Sequence, residues 1–257
     1  MTRRAVSLVE LLVAVAILSV LLGLVLAAVQ RVRESARRAE CQNRLRQQAL
    51  AVFGYESVHG RLPPGAVQGP FEPLGVPEGA SHGLWAVLLA HLGERPLADR
   101  YSFQVSHDHP ANRPVTAARI RVVECGLAPG GATGWTDFGP IDVNPFLADI
   151  GLIDPAAKFE GALPVNGRLK LSALKDGASH TLLLAEAGGR PAVGWASPAN
   201  LLGLREFFPG PAGPHRGGTN AVMADGSVRF LRETMDLRTL ARLATRAGGE
   251  PVRGDEY

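Results

Sequence analysis

Leu11 to Val29 is a run of nineteen residues without a charge. As an α-helix it measures about 28 Å, close to the hydrocarbon thickness of a bilayer. Glu10 stands directly before this run, four residues after Val6, where the apolar stretch begins. A carboxylate at bilayer depth costs about 2.5–3.5 kcal/mol even on lenient insertion scales. A secretory signal has a shorter apolar region followed by a small-x-small cleavage site. Here the run leads into "QRVRESARRAECQNRLRQ", which reads as more helix. A plain membrane anchor accounts for the length but gives Glu10 no role.

No proline occurs before Pro63. Beyond Val29 the residues Cys41, Leu45, Ala49 and Val52, with Phe53 flanking, form a stripe at helical spacing. Upstream the same face carries Glu34, Arg37 and Arg38, so it turns apolar only from Cys41. The pattern predicts one helix from about Val6 to about Ser57, half in lipid and half packed on a soluble domain. "HGRLPPG" stops it, with Gly60 followed by Pro63 and Pro64.

The remaining residues read as a globular head. Hydrophobic content of 46% and charged content of 20% fit a folded domain. The net charge of +3 falls to +1 without Arg3 and Arg4, and the arginines are not gathered on one surface segment, so no nucleic-acid partner is expected. Cys41 and Cys125 are the two cysteines, outside any CxxC pattern. One disulfide or two free thiols both remain open, since spacing does not fix their separation.

Residues 65–115 are Gly- and Pro-rich, with a short helix expected at Leu84 to Leu92. Ile120 to Cys125 reads as a strand. Asp137, Asp142, Asn144 and Asp149 lack EF-hand spacing and read as scattered loop groups rather than a calcium site. "HTLLLAE" is a buried strand candidate ending in Glu186, an acid expected at solvent. In "PHRGGTNAVMADGSVRFL", two β segments flank Asp225-Gly226, a pair that favours a two-residue type I′ hairpin turn. His215, separated from that pair by nine residues, reads as a fixed hydrogen-bonding residue on the entry loop, with a partner-binding loop as the alternative. His215, Asp225 and Ser227 are also the residue types of a hydrolase triad, but GxSxG is absent, and no helix N-terminus follows the serine. No enzyme activity, catalytic residue, metal or cofactor is expected. A last amphipathic helix is expected from Leu237 to Arg246.

"RRAVSLVE" resembles the prepilin-type N-terminus of type IV pilins and type II secretion pseudopilins. "CQNRLRQQALAVFGYESVHGRLPPG" and the H-x9-DG spacing of His215, Asp225 and Gly226 resemble one large bacterial family of pseudopilin-like proteins that share that N-terminus. The motifs cover residues 1–62 and about 170–254. The resemblance implies cleavage by a prepilin peptidase between Ala5 and Val6, N-methylation of Val6, and assembly through Val6 and Glu10. In a filament, Glu10 offsets the amino terminus of a neighbouring subunit, because opposite charges in low dielectric attract strongly.

The implied fold is α+β and pilin-like: a long N-terminal transmembrane helix continuing into a soluble head packed on a mostly antiparallel β-sheet. The expected organisation is 1–5 prepilin leader, 6–29 membrane and assembly half of the helix, 30–58 soluble half, and 59–257 exported head. Expected partners are the prepilin peptidase, other pilin or pseudopilin subunits, and inner-membrane lipid. Arg31, Arg33, Arg37, Arg38, Arg44 and Arg46 follow the span, and a positive-inside count would keep the head cytoplasmic. The resemblance places it in the periplasm or outside the cell, and this reading is preferred because the cut must face the cytoplasm. The alternative function is a monomeric, membrane-tethered binding protein for a glycan or other ligand.

Overall fold

The computed structural model describes residues 8–125, 134–143, 160–187, 193–203 and 215–248. Helix α1 spans Leu8–His59. Its end is set by Gly60, whose φ of 66° is a left-handed value that favours glycine and whose N–H bonds Glu56 O at 2.7 Å. The chain divides into two compact units after Glu40.

In the first unit every described residue from Leu8 to Arg33 is exposed. The helix is long and apolar enough to cross a membrane. Ser19 keeps its hydroxyl satisfied within the helix, donating to Val15 O at 2.8 Å. That leaves the side chain with no need of water.

The second unit begins at Cys41, which is also the first buried residue of α1. Cys41, Leu45, Ala49, Val52 and Tyr55 are buried in the larger core cluster with Trp85, Phe138, Leu184 and Val222. This is the expected stripe, and it becomes apolar where the charged residues end.

The central sheet has the order β4-β5-β7-β8, all antiparallel: Phe138–Pro140, Leu182–Glu186, Gly218–Met223 and Val228–Arg232. Two smaller antiparallel pairs join β1 (Ala66–Gln68) to β2 (Ser81–Gly83) and β3 (Trp135–Thr136) to β6 (Val193–Gly194). Val222 belongs to the larger cluster, while its neighbours Ala221 and Met223 belong to the smaller one, as strand alternation requires. The smaller cluster includes Leu240, Leu243 and Ala244 of the last described helix, Leu237–Ala244, so the two faces of the sheet have separate cores. Asp236 caps that helix through Thr239 N at 3.3 Å. Three short helices, α2 (Leu84–Leu88), α3 (Arg95–Ala98) and α4 (Arg113–Thr116), lie between β2 and β3. The helix at Leu237–Ala244 is α5. An α+β, pilin-like class fits this arrangement.

The residues expected as a strand from Ile120 to Cys125 instead contain a 3-10 turn, Arg121–Val123. Beyond the turn's own bonds, its carbonyls go mostly to side chains rather than to a strand ladder, with one backbone bond from Asp137 N to Val123 O at 3.0 Å. Gln48 Nε2 donates to Val122 O at 2.6 Å, Thr136 Oγ1 to Val123 O at 2.7 Å, and Arg44 to Glu124 O. The expected helix at Leu84 to Leu92 is regular only to Leu88, then tightens into turns, with His91 N bonding Leu88 O.

Candidate functional site

Two features bear on function, one in each unit. The first is the apolar segment of α1. Glu10 lies in its first turn and is exposed along with its described neighbours. Ala5 and Val6 lie outside the described residues, as do Asn144 and Asp149. An apolar surface of this extent in water marks a membrane or protein contact.

The second is a buried cluster assembled from four distant segments. Cys41 comes from α1, Cys125 follows the 3-10 turn, Glu186 ends β5, and His215 precedes β7. Cys41 and Cys125 are joined by a disulfide across a sequence separation of 84, with Cα atoms 5.3 Å apart. Glu186 is fully buried, which corrects the expectation of a strand-end acid at solvent. A carboxylate survives burial only if it is paired and hydrogen-bonded, and its two oxygens are divided between two partners. Oε1 meets His215 Nε2 at 3.2 Å. Oε2 accepts from Asn220 N at 2.8 Å and Asn220 Nδ2 at 2.9 Å. Asn220 is itself oriented by Gln42 of α1, whose Nε2 donates to Asn220 Oδ1 at 3.0 Å. Asp137 accepts the backbone N–H of Cys125. This removes Asp137 from any exposed calcium-type group, while Asp142 is exposed.

His215 and the Asp225-Gly226 pair sit at opposite ends of β7. The nine intervening residues are therefore one strand and its approach. Six strand residues span about 20 Å. His215, Asp225 and Ser227 accordingly do not meet as a triad. His215 fastens the start of β7 to the end of β5, and Asp225-Gly226 closes the β7–β8 hairpin. The turn is not the expected type I′. Gly226 has φ 84°, but among the described residues the non-glycine with positive φ is Asn166, not Asp225. Gly226 N bonds Met223 O and Met223 N bonds Ser227 O, each at 2.9 Å. This is a three-residue loop with glycine in the left-handed position. Asp225 Oδ1 accepts Ser227 N at 2.8 Å and steadies the turn.

Glu186, Asn220 and Gln42 are the residues that sequence reading missed. No local pattern marks them, because each acquires its role from a partner at least 29 positions away. Ring packing marks a further titratable group outside the cluster. Burial among Tyr101 and Phe103 lowers the His82 imidazole from 6.5 to about 4, and its Nδ1 lies 2.7 Å from Tyr101 Oη.

No curated protein matches the chain, and no solved structure does. Residues 1–26 match the prokaryotic N-terminal methylation motif. A second match covers residues 30–203 and takes in the middle of the chain, which the motifs alone leave outside the resemblance; His215 to Gly226 lie beyond its end. With two thirds of its length matched and a prepilin-type methylation motif ahead of the match, the chain belongs to the pilin-like family described as "Protein of unknown function (DUF1559)".

Proposed function

We propose that this protein is a pseudopilin-like structural subunit of a type II secretion or type IV pilus-like system. A prepilin peptidase removes residues 1–5 by cutting between Ala5 and Val6, and Val6 is then N-methylated. Residues 6–29 hold the subunit in the inner membrane as a single span, and 30–58 continue the helix. The head, 59–257, stands in the periplasm or outside the cell. The observation that carries this reading is Glu10, an acid placed at the start of an otherwise uncharged membrane-length helix, within a methylation motif. In lipid this carboxylate is costly alone, and a neighbouring subunit's amino terminus offsets that cost.

Glu10→Ala tests the assembly role. The variant is expected to accumulate in the membrane at the normal level and to be missing from sheared filaments or cross-linked ladders. Normal incorporation would refute the charge-pairing mechanism. Cross-linking of the wild type in cells separates this reading from a monomeric tethered binding protein: a ladder of subunits supports the first, a single band the second.

A further inference from the structure

The disulfide and the Glu186–His215 pair form one cluster, and its chemistry exceeds what holding two segments together requires. One donor atom from each of Cys41, Cys125, Glu186 and His215 lies within 4.8 Å of all the others, and all four residues are buried. Cys125 Sγ is 3.6 Å from Glu186 Oε1 and 3.8 Å from His215 Nε2. A disulfide sulfur has no proton to donate, so the contact with the carboxylate brings two electron-rich atoms together. Two sulfurs, a carboxylate oxygen and an imidazole nitrogen converging in a dry site are the donor set of a tetrahedral zinc centre. In such a centre the ligand atoms stand about 3.3–3.8 Å apart, given bonds of about 2.0–2.3 Å.

The geometry points to a redox-gated metal site. With the cysteines oxidised, the cluster is a disulfide beside a His–Glu pair. With them reduced, Cys41, Cys125, Glu186 and His215 bind one borderline-soft divalent cation, zinc above all. The balance is simple. A dithiol reductant gives two electrons and two protons to the disulfide, becoming a disulfide itself and leaving two thiols. Metal binding displaces both thiol protons to solvent, together with any proton on His215 Nε2. The orienting groups behind the ligands are already in place. Asn220 holds Oε2 of Glu186 through two hydrogen bonds and leaves Oε1 facing the sulfurs, and Gln42 holds Asn220. Such outer partners orient the ligands, and losing one typically costs about 10–100-fold in metal affinity. The proposal concerns the head alone and does not depend on filament assembly.

The test uses the full chain in detergent micelles, reduced with a trialkylphosphine, and Co2+ as the probe. The phosphine takes oxygen from water as the disulfide is reduced. Expected is one Co2+ per chain, with an intense thiolate-to-cobalt charge-transfer band and tetrahedral d–d absorption, displaced by Zn2+. The oxidised chain, identical in sequence, is expected to give neither band. His215→Ala should weaken binding at least tenfold, and Glu186→Gln should weaken it less. If the reduced head loosens, Co2+ should restore its near-ultraviolet circular dichroism. Absence of the charge-transfer band in the reduced chain, an equal signal in the oxidised chain, or a loosened head that Co2+ does not restore would each overturn the proposal.

Discussion

Glu186→Ala is the most informative single change in the head. It removes the acceptor for three donors at once: Asn220 N at 2.8 Å, Asn220 Nδ2 at 2.9 Å and His215 Nε2 at 3.2 Å. Glu186 and Asn220 are fully buried and His215 is 2% exposed, so water does not simply take the carboxylate's place. Each buried donor left unpaired costs about 1–3 kcal/mol. The three share one site and do not add in full, so the loss falls below their sum of about 3–9 kcal/mol. A loss of about 3–5 kcal/mol is therefore expected. Glu186→Gln keeps an oxygen for the two Asn220 donors and is expected to cost about 1–2 kcal/mol. Urea unfolding of the oxidised chain in micelles, followed by fluorescence of the buried Trp85 and Trp195, measures both. In a double-mutant cycle, Glu186→Ala with His215→Ala should cost less than the sum of the singles, because the imidazole deprived of its carboxylate is gone. A Glu186→Ala loss below about 1 kcal/mol, or strict additivity in the cycle, would refute the inference that this pair anchors β5 to β7.

Two further outcomes follow from the same structure. Reducing the Cys41–Cys125 bridge in the presence of a chelator should cost the head about 2–4 kcal/mol, below the loop-entropy ceiling of about 4.6 for a separation of 84; an unchanged urea midpoint would mean that the bridge constrains little of the unfolded chain. His82 stays neutral in the fold below its ordinary pKa, so the unfolded chain binds the extra proton first. Stability should therefore be complete above pH 6.5 and fall as the pH drops from there toward 4, and His82→Gln should flatten that part of the profile.

Much of this fold was legible because its signals are local. Nineteen uncharged residues, a stripe beginning at Cys41 and a Gly-Pro stop define α1 without reference to any other segment. The β7–β8 hairpin was legible for the same reason, although its turn type was not. The Asp-Gly pair fits both the two-residue and the three-residue loop, and pairing of Val222 with Val228 selects the longer one. The β-branched run before Cys125 suggested a strand, but Gln48 and Arg44 of α1 capture its carbonyls, and those contacts cross more than seventy residues. Glu186 was misplaced at solvent for a related reason. A strand-end acid is ordinarily exposed, and only His215 and Asn220, brought alongside by β5–β7 pairing, make its burial tolerable. The convergence of Cys41, Cys125, Glu186 and His215 had no signature in spacing at all.

Assembly through Glu10 requires a processed amino end ahead of α1. Mass spectrometry of the protein purified from its native host, after digestion, reads that end directly. A first peptide that begins at Val6, carries one N-methyl group and lacks Met1 to Ala5 is the predicted result. A first peptide that retains Arg3-Arg4-Ala5 ahead of an unmodified Val6 would contradict it and leave a plain tethered domain.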